Sequence, residues 1–406
     1  MKVRRIGAAA LTVVLVGGLA SACSSSKQAG GGGGGVVVGA IGDYTGAFAS
    51  GQGDIPKVLG AWASTINAAG GLNGHKVKVI AKDAGAATGA NATAARELIS
   101  QDHAVAIIDT DSADSAWLAY ASAQKVPVIL GYPSTNALND PDAFPIMGSA
   151  FTSTYALASI IKSYGSSVGV VYCAESCAQQ AALFPVLAKA VGLTVPVFLS
   201  ASSSAPDYTA VCQALKDKKV GSYILNFGTA TFTKIVHACY QQGLRIPTVL
   251  GGYTTSPTWR TDKAFDGLTA VDGVAPFFNS NTPGQKAYRA ALSKYVPSIP
   301  GSNFDDSWSA FVWTSGQLVA AAAKTTTGTL TAATLTDGLY ALKGETLGGM
   351  AQPLTYTKGK VTNLNCYFTW KISGGSFVGG ATGDKPACAS PAALAPIIAA
   401  LSPPKK

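Results

Sequence analysis

The sequence predicts an α/β protein made of two similar lobes, each a doubly wound parallel sheet. Three observations predict it. Short runs that are apolar throughout, such as 104–108 and 126–130, alternate with segments of helical periodicity. Strands of that kind belong to parallel sheets covered on both faces. The same alternation restarts after Ser149, and a chain of 406 residues is long enough for two separate cores.

The first strand is 36–41, followed by a turn-rich loop, Gly42-Asp43-Tyr44-Thr45-Gly46. Asp54 reads as a helix N-cap with Pro56 in the first turn. Ile55, Val58, Leu59, Trp62 and Ile66 share one helical face, and Gly70-Gly71 ends that helix. Strands are expected over 77–81, 104–108 and 126–130, with helices over 92–100 and 115–123. In the second half, strands are expected over 168–172, 194–199, 222–226 and 248–250, with helices over 178–191, 208–218 and 231–242. Helices over 283–295 and 305–324 and a late strand over 366–372 follow.

Residues 1–35 have a different character. Lys2, Arg4 and Arg5 precede an apolar run through Leu19, then Ala20-Ser21-Ala22-Cys23, three serines and six glycines from Gly30 to Gly35. This resembles a bacterial lipoprotein signal peptide, whose cysteine is lipidated and becomes the first mature residue. The leucine usual three places before that cysteine is Ala20 here, with Leu19 one step early. The alternative is an ordinary secretory signal cleaved after Ala22. Either way the chain is expected to work outside the cytoplasm, with 1–22 as leader and 23–35 as a flexible linker. The resemblance implies a lipid anchor at Cys23 on the outer face of the bacterial cytoplasmic membrane. Loss of 1–22 takes the formal charge from +9 to +6. No Lys/Arg block interleaves with aromatics, which argues against nucleic acid. No later apolar run reaches the ~18 residues of a membrane span. The stretch 389–401 is apolar but short and interrupted by Pro391 and Pro396. Membrane attachment therefore rests on lipid alone.

Six cysteines remain beyond Cys23, an even number that suggests three disulfides in an oxidising compartment. Several connectivities are possible; proximity favours Cys173–Cys177, Cys212–Cys239 and Cys366–Cys388. Cys212 and Cys239 fall on consecutive expected helices flanking one strand, which right-handed crossovers can bring side by side. No C-x-x-C occurs, and His75, His103 and His237 show no zinc-site spacing. No metal or other cofactor is expected.

Ile66-Asn67-Ala68-Ala69-Gly70-Gly71-Leu72-Asn73-Gly74-His75-Lys76-Val77 is similar to a long, specific segment of type I periplasmic binding proteins, the branched-chain amino-acid group. Supporting stretches are 39–46, Leu98-Ile99-Ser100-Gln101-Asp102 with Ala106-Ile107-Ile108, Val126-Pro127-Val128-Ile129, Pro206-Asp207-Tyr208, and Gly243-Leu244 with Pro247. The resemblance covers roughly residues 36–380. It implies two lobes joined by a three-segment hinge, with crossings near Gly148, 273–278 and 350–355. The lobes would be 36–149 plus 279–350 and 150–278 plus 351–388, with 389–406 a tail. A small molecule would bind in the cleft and be delivered to the permease of an ABC importer. The protein is expected to be a monomer.

Ligands of open α/β sheets bind beyond the carboxyl ends of the strands, where free N–H groups suit a carboxylate. In the amino-acid binders, a serine after one strand and an Ala-Thr pair after the next hold the ligand's α-carboxylate and ammonium. Here the first place holds Asp109-Thr110-Asp111-Ser112-Ala113 and the second Tyr132-Pro133-Ser134-Thr135. Ser112, Ala113, Pro133 and Ser134 are candidate contacts, with helix capping the alternative for the serines. Asp111 would repel an anionic ligand end; it is either a ligand contact or a solvated cap. Tyr44 and Phe48 on the first loop could cover an apolar part of the ligand or pack within the loop. Tyr132 could instead belong to the hinge edge. Ser176, Phe227, Tyr253 and Thr254 are the candidates from the second lobe, with packing between lobes as the alternative for Phe227 and Tyr253. Trp117 reads as core.

No G-x-S-x-G elbow between a strand and a helix is seen (Gly165-Ser166-Ser167-Val168-Gly169 runs into the expected strand 168–172), no H-E-x-x-H occurs, and no histidine has an evident nucleophile partner, so catalysis is not expected. The expected function is an extracytoplasmic solute-binding lipoprotein for an amino acid or related compound. The alternative is a sensor of the same fold that reports its ligand to a membrane partner.

Overall fold

Two sheets carry the architecture. The computed structural model describes residues 35–85, 88–130, 140–175, 177–251 and 254–401. Cys23 with the leader and most of the linker lies outside the described residues, as do Tyr132, Pro133, Ser134, Ser176 and Tyr253.

The first run is β1 (Val36–Gly42), α1 (Ala49–Gln52), α2 (Ile55–Ala68), β2 (Val77–Asp83), α3 (Thr88–Ser100), β3 (Ala106–Thr110), α4 (Leu118–Ala123), β4 (Val128–Leu130) and β5 (Ala143–Pro145). Its strands pair in the order β2-β1-β3-β4-β5, every pair parallel. β3, β4 and β5 are buried at every residue, as unbroken apolar runs require.

The second run is α5 (Ala150–Ser163), β6 (Ser167–Cys173), α6 (Ala178–Ala181), α7 (Phe184–Ala190), β7 (Thr194–Ala201), α8 (Thr209–Asp217), β8 (Ser222–Asn226), α9 (Thr229–Gln241), β9 (Val249–Gly251) and β10 (Thr269–Asp272). Then come α10 (Pro283–Tyr295), α11 (Ser307–Lys324), α12 (Ala332–Ala341), the ribbon β11 (Lys343–Glu345) and β12 (Leu354–Thr355), and β13 (Cys366–Ser373), β14 (Ser376–Gly379), β15 (Ala387–Cys388) and α13 (Pro391–Leu401). β7-β6-β8 pair in parallel, and a Tyr223–Thr248 bridge extends them toward β9 and β10. β13 closes this second sheet antiparallel to β10, and β14 and β15 flank it.

α10 and α11 return to the first sheet. α11 lies against α2, α12, β3 and β4, which is why it is buried nearly all round. A Cβ on Gly316 would stand 2.7 Å from the Trp62 ring, so only glycine lets α2 and α11 approach this closely. Asp306 caps α11, accepting from Ser309 N at 3.0 Å.

Three segments run between the sheets, side by side. The first joins β5 to α5, the second follows β10, and the third runs from Met350 to β13. A Cβ on Gly273 would meet the Met147 Cβ at 2.5 Å, so glycine keeps the first two in contact. Ala275 N donates to Met350 O at 2.9 Å, linking second to third. Thr152 Oγ1 donates to Leu364 O at 2.9 Å, linking third to first.

Some elements differ from expectation. Helix 178–191 is broken between α6 and α7, where Pro185 restarts the turn. Asp54 stands at the N-cap of α2, but its side chain pairs with Lys57 at 2.7 Å instead of bonding the helix. Residues 391–401, expected within a tail, form α13. Its Leu394 and Ile397 pack with Leu187 of α7. Pro391 opens the helix, where its missing N–H costs nothing. The three disulfides are Cys173–Cys177, Cys212–Cys239 and Cys366–Cys388.

Candidate functional site

The carboxyl ends of the two sheets approach one another. α1, in the loop beyond β1, lies against α9, which begins just beyond β8. Ser256, beyond β9, donates to Asn303 Oδ1 at 2.9 Å, just before α11. Among the described residues, the loops beyond β1, β8 and β9 reach this seam.

On the first sheet, aspartates stand at or next to the ends of β1, β2 and β3. Asp83, at the end of β2, accepts from Tyr44 N at 3.0 Å, Thr45 N at 3.2 Å, Gly85 N at 3.1 Å and Thr45 Oγ1 at 2.6 Å. Burial works against its ionisation, but those bonds outweigh it and hold the carboxyl below the ordinary range. Asp43, fully buried beyond β1, accepts from Ser112 N at 3.1 Å, and its own N–H donates to Gln52 Oε1 at 3.2 Å. Asp109, in β3, accepts from Asp111 N at 2.9 Å. Burial first, then Asp114 and Asp111, push its carboxyl well above the ordinary range.

Asp111 is 0% exposed, so it is not the solvated cap that was one reading of it. Its oxygens accept from Ala113 N at 2.9 Å, Asn91 Nδ2 at 2.9 Å and Trp117 Nε1 at 2.8 Å. It holds the β3 loop in shape, and Trp117 packs in the core beside it. The amides of Asp111, Ser112 and Ala113 are thus each bonded to one of the protein's own carboxylates. An anion arriving at this edge would have to displace one of them.

Ser112 and Ala113 remain half-buried. Tyr44 is buried in the core cluster, and burial pushes its hydroxyl up, so it stays neutral. Phe48 is half-buried on the same loop.

The second sheet differs. Phe227, beyond β8, is buried in the core, and its carbonyl accepts from the half-buried Thr254 Oγ1 at 3.1 Å. Glu175, beyond β6, accepts from Ser202 Oγ at 2.6 Å, Ser203 N at 2.8 Å and Ser203 Oγ at 3.2 Å. The Ser202 bond first, and the amides with it, hold this carboxyl below its ordinary range. The structure places Tyr44, Phe48, Asp111, Ser112, Ala113, Phe227 and Thr254 just beyond strand ends, with Tyr44, Asp111 and Phe227 buried.

The sequence reading missed Asp43, Asp83, Asp109 and Gln52. The available signal was an aspartate at or next to the end of each of β1, β2 and β3. Among the described residues, no group of three or more His, Cys, Asp or Glu is arranged to hold a metal ion. None of their helices is long and apolar enough to cross a membrane.

Residues 35–376 match the family model described as periplasmic binding protein. A stretch of 73 residues is 37% identical to an amino acid binding protein of Pseudomonas aeruginosa, covering 18% of this chain and 20% of that protein. The match thus spans about a fifth of that relative's length. Among solved structures, a branched-chain amino acid ABC transporter protein from Thermus thermophilus with bound valine superposes with TM-score 0.75 at 15% identity, covering 87% of this chain and 97% of that one. An ABC transporter solute-binding protein from R. palustris in complex with benzoate gives 0.71 at 18% identity, covering 88% and 99%. A fatty acid ABC transporter substrate-binding protein from Thermomonospora curvata gives 0.67 at 19% identity, covering 86% and 91%. At these identities the likeness is one of fold.

Proposed function

We propose, from the premise that this chain belongs to the periplasmic binding protein family, that it is a lipid-anchored solute-binding protein. It captures a small molecule, an amino acid or related compound, between its two lobes and hands it to an ABC importer. The observation that carries this reading is the seam itself. Two parallel sheets joined by three adjacent segments turn their carboxyl ends toward one another, where ligands of such sheets bind. Tyr44, Phe48, Ser112, Ala113 and Thr254 supply contacts, together with the loops that carry Tyr132, Pro133, Ser134, Ser176 and Tyr253. Solved proteins of this fold hold valine, benzoate or, by name, fatty acids. The ligand class is sought first among such compounds and their amides.

Thermal unfolding tests it. A true ligand at about 100 times its dissociation constant adds about 2.7 kcal/mol to stability. Amino acids, aromatic acids, fatty acids and their amides form the panel, alongside mass spectrometry of molecules released from denatured protein. No shift and no released molecule would refute the reading. The anchor has its own test: Cys23→Ala moves the protein from the membrane fraction to the soluble one, and unchanged retention would refute lipidation.

A further inference from the structure

The second connecting segment begins at one buried carboxylate. Asp272 is the last residue of β10 and is 3% exposed. Its Oδ1 accepts from Gly273 N at 2.9 Å, the first amide of the segment. Its Oδ2 accepts from two side chains, Ser307 Oγ and Trp370 Nε1, at 2.5 and 3.2 Å. Trp370 sits in β13, inside the second sheet and against Phe277, Phe278 and Phe377. Ser307 opens α11, the helix that packs on the first sheet. A single carboxylate therefore takes one hydrogen bond from each half of the molecule at the point where the chain passes between them.

We infer that Asp272 is a lobe-coupling latch: bonded from both sides, it holds the two lobes at their present angle, and its protonation releases them toward a more open arrangement. The inference rests on the reading of this protein as a two-lobed binder. Ionised, Asp272 offers Oδ2 to both Ser307 and Trp370. Protonated, it loses its charge, and both side-chain bonds lose their charge assistance; the Ser307 hydroxyl can turn to accept from it, whereas Trp370 Nε1 can only donate. Of the weakened contacts, the one from Ser307 joins the lobes, because Trp370 bonds Asp272 from within the second sheet and Gly273 from within the segment.

The charges around the site suit a proton switch. At the N-cap of α11, the buried Asp306 feels the charge of Asp272, and burial first pushes its own carboxyl well above the ordinary range; Asp305 beside it is paired with Arg289 of α10. Tyr288 of α10 feels Asp305 and Asp306. β13 contributes Trp370, which carries no charge. Among the described residues no cationic side chain pairs with Asp272. Burial pushes its carboxyl up to about 6, against the bonds from Ser307, Trp370 and the amides of Gly273 and Val274. The sign follows. The folded protein takes up this proton at higher pH than the unfolded chain, whose carboxyl titrates near 4. Asp272 thus makes global stability rise as pH falls from about 6 toward about 4, while it loosens the lobes over the same range.

The experiment uses the ligand-free protein, followed from pH 7.5 to 5 by small-angle scattering and tryptophan emission. The expected result is a radius of gyration that rises by about 1 Å on roughly 21 Å, with a midpoint near 6 shared by the emission change. Asp272→Asn should abolish both transitions. Ser307→Ala removes only the first-lobe donor and should raise the radius already at pH 7.5. It also serves if Asp272→Asn fails to fold. Emission that titrates while the radius stays constant would make Asp272 a structural carboxyl and overturn the latch. So would a transition that survives in Asp272→Asn, or a Ser307→Ala protein with the wild-type radius. A protein that opens with acid but binds no small molecule would sink the binding reading and leave the latch standing.

Discussion

The two halves of this molecule fix their strand-end loops by different chemistry. The first sheet uses carboxylates: Asp43, Asp83, Asp109 and Asp111 each accept backbone amides of the loops beyond β1 to β3. The second has Glu175 accepting the Ser203 amide beyond β6 and adds sulfur, for all three disulfides lie on or beside its strands and helices. Packing explains the division. The first half has the eighteen-residue α11, with Trp308, Phe311 and Trp313 buried, set against Trp62 of α2. In the second half the described helices are shorter than α11, from α5 with fourteen residues and α9 with thirteen to α8 with nine and α7 with seven. The lesson is that one half is sensitive to its polar contacts and the other to its redox compartment.

Reduction should give the largest effect and the sharpest test of that division. The Cys212–Cys239 and Cys366–Cys388 bridges span 27 and 22 residues. Loops of that size correspond to about 3–4 kcal/mol each in the chain-entropy account. With a strong reductant, amides of β6, β8, α8 and α9 should lose hydrogen-exchange protection while those of β1 and β3 keep theirs. Equal loss in both sheets would break the comparison and make the body one cooperative unit. Cys212→Ala with Cys239→Ala should reproduce about half of the effect.

Much of this was legible in the residues. The apolar runs at 104–108 and 126–130 placed the parallel strands, and the stretches 222–226 and 283–295 are an observed strand and helix with those same bounds. The three pairings that proximity favours are the ones the structure forms. Other features were hidden for physical reasons. α5 is rich in Ala, Ser and Thr, so its apolar stripe is faint. β5 is only three residues long, too short for any pattern to show. Asp111 read as a possible ligand contact because sequence places it at a strand end without showing which way it turns. Only the structure reveals that Asn91 and Trp117 reach it from α3 and the turn before α4.

Asp111 also gives the smaller test of the first half. Replacing it with alanine would leave Trp117 Nε1, Asn91 Nδ2 and the Ala113 amide without this acceptor in a buried site. Each lost bond of that kind costs about 1–3 kcal/mol, less than additively when they share one cavity. A total near 3 kcal/mol is expected for Asp111→Ala, measured by denaturant unfolding under oxidising conditions. Asp111→Asn should cost less, because one oxygen still accepts while its amide faces other donors. The outcome separates two roles for the same residue. A scaffold aspartate lowers stability when removed and leaves ligand affinity nearly intact in the Asn variant. A ligand contact does the reverse, and Asp111→Ala with wild-type stability but weakened binding would mean that the first half is not held by its carboxylates at this loop.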